Sequence, residues 1–189
     1  MKTKEERSES DQTYSLAAGR GKETLFRVSA RNQIELIAIA DNKANMITGI
    51  DAVLFSLSIA FFGSGLSMQG VPFNERAEVM VPFVILIFAC LISAIFAILS
   101  AKPTIIKSPK SSLSLLFFQS FYDKSLEVYK EEMHTLLSSR ETIYDQLIID
   151  MYYNGLVLKR KYSLLNFSYM IFMIGIISSV VAFLFLWLL

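Results

Sequence analysis

The sequence predicts an all-α membrane protein: three transmembrane helices, with a cytoplasmic helical hairpin between the second and third spans. Three observations carry this expectation. Of 189 residues, 53% are hydrophobic and 19% charged, against about 45–50% and about 25% in ordinary soluble domains. Two stretches, Val79 to Ala101 and Phe167 to Leu189, contain no charge, and each exceeds the about 20 residues a helix needs to cross a hydrocarbon core. Elsewhere apolar residues recur at helical spacing, and the β-branched run LIIDMYYNGLVL itself sits in a helical frame.

Residues 1–23 are polar with interspersed charges and few apolar anchors, so they are expected to form a disordered tail. The membrane domain then covers 24–189, with spans at about 46–66, 79–101 and 167–189 and a cytoplasmic helical region at 102–166. From Thr24, the residues Leu25, Phe26, Val28, Ile34, Leu36, Ile37 and Ile39 alternate with polar ones, and neither Gly nor Pro intervenes before Gly49. One long helix is therefore expected to start outside the membrane and enter it. The first span, Met46 to Leu66, is the weakest, diluted by Asp51, Gly49, Gly63 and Gly65.

After the second span, Pro103 and Pro109 predict irregular chain. Ser125 suits the N-cap of LEVYKEEMHTLL, and Ser138 with Glu141 forms a capping box for the helix beyond it. In that helix Tyr144, Ile148, Met151, Gly155, Leu158, Tyr162 and Leu165 make a seam that runs without a breaker into the third span.

Arg27, Arg31 and Lys43 precede the first span, and Arg76 stands in the loop after it. Lys102, Lys107 and Lys110 follow the second span, and Lys159, Arg160 and Lys161 precede the third. The positive-inside rule puts the N-terminus and the 102–162 segment in the cytoplasm and the C-terminus at the far face of the membrane. The first 20 residues lack the apolar stretch of a cleavable signal. With almost no mass outside, the expected stimulus comes from the cytoplasm or the bilayer.

A net charge of +1 argues against a nucleic-acid polymer as partner. The lone Cys90 and lone His134 supply neither a disulfide nor a metal-ligand cluster, so no cofactor is expected. His134 has no neighbouring nucleophile, and Gly63 to Gly65 lack the helix and Lys of a phosphate-cradling loop. No catalytic constellation is present, and enzymatic activity is not expected.

Asp51 is the most informative residue, because a carboxylate at that depth costs about 2.5–3.5 kcal/mol on insertion scales. On a wheel it shares one side with Asp41, Ala44, Asn45, Thr48, Ala52 and Ser58, opposite Met46, Ile50, Leu54, Leu57 and Phe61. The stripe Asn45, Thr48, Asp51 and Ser58 either glues a bundle together, meets water or ions in an activated state, or relays protons. Arg31, Asn32, Glu35, Asp41, Asn42 and Lys43 cluster just before the first span. They read either as interfacial solvation with a snorkelling Lys43 or as a pocket for a small polar ligand, with Arg140, Lys159 and Arg160 as the alternative location. The segment LLFFQSFY is an interfacial anchor or a packing element, and its Phe117, Phe118, Phe121 and Tyr122 are also able to stack on a base.

Three stretches together resemble the Pycsar-effector transmembrane family, bacterial antiphage proteins also found fused behind metal-dependent phosphohydrolase domains of the HD type. They are RNQIELIAIADNKANMITGIDAVLFSLSIA, the block from LSLLFFQSFYDKSLEVYKEEM through LVLKRKYSLL, and FSYMIFMIGIISSVVAF, spanning about residues 25–189. The ADNKAN and LLFFxxF motifs lie in the family's order around the spans. The family usually shows Asn where this chain has Asp51, and no HD metal motif accompanies the block here, so the phosphohydrolase activity does not carry over. The resemblance implies an effector that responds to cyclic CMP or cyclic UMP made by a partner cyclase, acts as a homo-oligomer on membrane lipid, and arrests the infected cell by damaging its inner membrane. A non-conducting membrane anchor or receptor for a cytoplasmic complex is the alternative.

Overall fold

The computed structural model describes residues 4–63, 67–68, 71–72, 77–103, 114–121 and 123–188. Among them the order is α1 (Lys4–Gly63), β1 (Ser67–Met68), β2 (Val71–Pro72), α2 (Ala77–Ala101), α3 (Phe118–Phe121), α4 (Leu126–Leu137) and α5 (Arg140–Leu188). The strands form a two-residue antiparallel ladder pairing Ser67 with Pro72 and Met68 with Val71; every other element is helical. Three helices are long and apolar enough to cross a membrane. Leu66, Arg76, Lys107, Lys110, Tyr122 and Leu189 lie outside the described residues.

The 60 residues of α1 contain no Pro, and the 49 of α5 contain none either. At about 1.5 Å per residue both are far longer than the about 30 Å hydrocarbon core, so each carries a span and a polar extension in one uninterrupted helix. α1 already starts at Lys4, within the stretch read as a disordered tail. Composition there argues against a packed core, but KEER residues are good helix formers. α2 stops where Lys102 meets Pro103, because a residue before proline is pushed out of the α region.

The helix starts after α3 correct one detail. Ser125 caps α4 as expected, its side chain accepting from the Val128 N–H. Ser138 does not open a capping box: it is helical at the end of α4, with its hydroxyl donating to Thr135 O. Ser139 is the residue that opens α5, its hydroxyl accepting the Glu141 N–H at 3.2 Å and its carbonyl the Ile143 N–H at 3.3 Å. Both serines precede the same apolar run, and sequence alone does not choose between adjacent caps.

The chain divides into two compact units. An extramembrane unit joins Met1–Leu36 with Ile105–Val157, and a membrane unit joins Ile37–Thr104 with Leu158–Leu189. In the extramembrane unit, Phe26 stacks on Tyr144 with centroids 5.4 Å apart, and Gln33 Nε2 donates to Met151 O at 3.0 Å. The LLFFQSF segment is a packing element: Phe117 is buried, Phe121 lies against Tyr129, and the Leu115 N–H donates to Gln146 Oε1 of α5. Ile148, placed in the α5 seam by spacing, is exposed instead.

The membrane unit is built inside out. Its buried positions include Ala40, Ala44, Ile47, Asp51 and Ser58 on α1, Cys90, Ser93, Ala97 and Ser100 on α2, and Lys161, Leu165 and Ser168 on α5. Met46, Val53, Leu57, Phe88, Ile98, Met173, Ile177 and Phe185 are exposed. Small residues let helix backbones approach where lipid, as apolar as leucine, gives no hydrophobic reward for hiding large ones. Gly175 marks a close approach of α5 to α2: a Cβ there would collide with the Ala89 Cβ.

Candidate functional site

Three polar levels tie the membrane unit together. At the first, Lys161 is 5% exposed, and its ammonium donates to Asp41 Oδ1, to Ser100 O at 3.0 Å and to Ala101 O at 3.5 Å. A lysine has three N–H donors, and here each finds an acceptor. Two of those acceptors belong to the last residues of α2, whose carbonyls lack intrahelical partners and attract a cation. Ser100 Oγ returns a bond to Lys161 O at 2.8 Å. One side chain thereby joins α1, α2 and α5.

At the second level, Ser93 Oγ donates to Ser168 O at 3.2 Å and Ser168 Oγ donates to Ser93 O at 2.9 Å. At the third, Ser179 Oγ donates to Pro82 O at 2.9 Å. Such interhelical bonds are worth about 0.6–2 kcal/mol each in lipid, which is enough to fix register but not to lock a bundle.

Asp51 breaks the pattern. It is 1% exposed and approaches Cys90 and Ser93, yet neither carboxylate oxygen has a hydrogen bond of good geometry. Ser93 is already committed to Ser168. The bundle thus buries a carboxylate whose nearest donors are the Cys90 thiol and a Ser93 hydroxyl shared with Ser168.

The predicted stripe is narrower than the wheel suggested. Asp51 and Ser58 are buried and Thr48 half-buried, but Asn45 is exposed. Thr48 Oγ1 and Ser58 Oγ donate back to Ala44 O and Leu54 O of their own helix, so neither bonds across to a neighbour. The buried line is Ala40, Ala44, Ile47, Asp51 and Ser58, and Asn45 stands about 100° around the helix from Ala44.

The residues read as ligand-binding fall in both units. Arg31 Nε pairs with Glu35 Oε1 at 2.8 Å on the surface of the extramembrane unit, and Asn32 beside them is exposed. Exposed pairs of this i,i+4 kind contribute about 0.3–0.5 kcal/mol. In the membrane unit Asp41 is taken up by Lys161, while Asn42, Lys43 and Arg160 are exposed. Arg140 lines a cavity of the extramembrane unit, together with Arg27. Sequence reasoning missed Lys161 as a structural cation. The available signal was its step of four to Leu165 and seven to Ser168, which puts it on the buried face of α5.

Among the described residues no His, Cys, Asp or Glu grouping is able to hold a metal ion. No curated protein and no solved structure is significantly similar to the chain. The Pycsar effector protein domain, in contrast, matches residues 24–189, which takes in every polar level described above. Three apolar helices of spanning length, an interior of small and polar residues, and this match across most of the sequence lead to one conclusion: the chain belongs to the Pycsar effector family and is a transmembrane antiphage defence effector.

Proposed function

We propose that the protein responds to a cyclic pyrimidine mononucleotide, cyclic CMP or cyclic UMP, supplied by a partner cyclase, and that the response opens the membrane unit and disrupts the bacterial inner membrane. It works as a homo-oligomer, by binding and rearrangement rather than by catalysis, with the N-terminus cytoplasmic and the C-terminus periplasmic. Family membership supports the defence role. The buried Asp51 carboxylate carries the rest of the reading. A closed bundle that holds a carboxylate at that depth against only a thiol and a shared hydroxyl gives up as much as about 2.5–3.5 kcal/mol, and any rearranged assembly that offers it water or a stronger donor recovers part of that. The resting packing is thereby left close in free energy to an open one, and a ligand needs only a modest differential affinity to shift the balance.

The test is co-expression with a pyrimidine cyclase while membrane potential is followed. Wild type should depolarise the cell only when cyclase is active. Asp51→Asn keeps a polar group at that depth and should depolarise as well, whereas Asp51→Leu at matched expression should not. Depolarisation by Asp51→Leu would remove Asp51 from the mechanism. Growth arrest without depolarisation in wild type would favour the non-conducting anchor or receptor.

A further inference from the structure

The extramembrane unit carries an open cavity of about 420 Å³, inside the range of about 300–1,000 Å³ usual for small-ligand sites. Phe26, Arg27 and Ala30 of α1 line it opposite Arg140 and Tyr144 of α5. Its aromatic wall is the Phe26–Tyr144 pair, with ring planes 23° apart, and Lys22 Nζ lies 5.9 Å from the Tyr144 ring centre. Arg27 and Arg140 come from different helices, and among the described residues neither forms an ion pair. Glu23 also lines the cavity, one turn before Arg27, without pairing with it.

Two uncommitted guanidinium groups beside an aromatic wall suit a ligand that is both anionic and flat. Arginine binds phosphate oxygens through a rigid fork of donors, and nucleobases stack on Tyr and Phe faces. A second cavity of this unit lacks that character. Its Lys124 is held by Glu132, its Gln146 accepts the Leu115 N–H, and Asp145 adds a further carboxylate, so its one cation is spent and a phosphate would meet net negative charge.

We propose that the cavity between Arg27 and Arg140 binds a small phosphate ester carrying a planar ring, with the phosphate on the two arginines and the ring against Phe26 and Tyr144. This rests on the cyclic-nucleotide reading above, under which the ligand is the cyclic pyrimidine mononucleotide. Glu23 opposes the phosphate and tunes the affinity downward.

The full chain, purified in detergent, is titrated with cyclic CMP, cyclic UMP and cyclic AMP by calorimetry, with helicity checked by circular dichroism. Wild type should bind at least one cyclic pyrimidine nucleotide. Arg27→Ala and Arg140→Ala should each weaken binding about tenfold, the loss of one charge-assisted contact, and the double variant should fall further. Glu23→Gln should tighten binding several-fold, an effect that added salt diminishes; a purely structural role for the cavity would not give this sign. Unchanged affinity in the folded double variant would overturn the site and leave the functional reading standing. Binding of cyclic AMP alone, lost in the double variant, would keep the site and overturn the pyrimidine reading. No binding by wild type would overturn both. If the double variant loses helicity, Glu23→Gln decides, and unchanged affinity there counts against the site.

Discussion

The two units solve opposite packing problems with the same two long helices. In the membrane unit the buried side chains are mostly small or polar, alanines, serines, a cysteine, an aspartate and a lysine beside Ile47 and Leu165, and most large apolar residues face outward. In the extramembrane unit the contacts are between larger groups: Phe26 on Tyr144, Phe121 against Tyr129, and Gln33 reaching the α5 backbone. Water rewards hiding aromatic area, whereas lipid does not, so in lipid close backbone approach and interhelical hydrogen bonds must carry association. What differs between the units is the solvent, and the burial pattern along α1 changes accordingly as the helix passes from one to the other.

That contrast makes the Lys161 clasp the most sensitive point of the membrane unit. Asp41→Ala strands an ammonium whose side chain is 6% exposed, while Lys161→Met strands a carboxylate that is 38% exposed. Removing one member of a buried pair costs about 3–5 kcal/mol when the other stays dry, so Asp41→Ala should destabilise by about that much. Lys161→Met should cost less, about 1–3 kcal/mol, because Asp41 is able to find water. Thermal unfolding in detergent checks the order. Equal losses, or the reverse order, would mean that the clasp is wetter than its geometry implies.

Next in size is the helix crossing at Gly175. The added Cβ of Gly175→Ala meets a rigid methyl, not a flexible side-chain end, so α2 and α5 must move apart, at the about 1–3 kcal/mol typical of overpacking. Ala89→Gly removes the obstructing methyl and should restore most of the loss, a coupling that a double-mutant cycle measures directly. Simple additivity of the two changes would show that the crossing is looser than the structure places it.

The parts legible in the sequence were those written in contiguous runs. The three spans, the unbroken α1 and α5 and the Ser125 cap all follow from local composition and spacing. The stripe was half legible. A helical wheel groups residues within a wide arc, so Asn45 was assigned to the same side as Asp51, whereas close packing against small residues buries only the narrow line through Ala44, Ile47 and Asp51. Long-range partners were not legible. Lys161 and Asp41 stand 120 positions apart, and a basic residue flanking a span reads first as a topology signal. Arg27 was read the same way, and its place beside Arg140 emerges only when α1 and α5 are brought together in the extramembrane unit.

The smallest expected effect lies in the extramembrane unit and concerns Asp150, half-buried on α5 and accepting from Asn154 Nδ2 at 3.1 Å. Burial pushes its carboxyl above the ordinary value of 3.8, and the Asn154 bond offsets this only in part. The folded unit therefore holds this proton more tightly than the unfolded chain does. Its contribution to stability is complete below the ordinary value and is lost as pH rises through the raised one, since there the native state binds more protons than the unfolded state. Asp150→Asn preserves an acceptor for Asn154 and carries no charge at any pH, so the variant should be slightly more stable than wild type at neutral pH, by less than about 2 °C in Tm. The difference should shrink as the pH is lowered toward and below the ordinary carboxylate value. Parallel Tm profiles for wild type and Asp150→Asn across that range would show that Asp150 is already hydrated, and that this face of the extramembrane unit is more open to water than its packing implies.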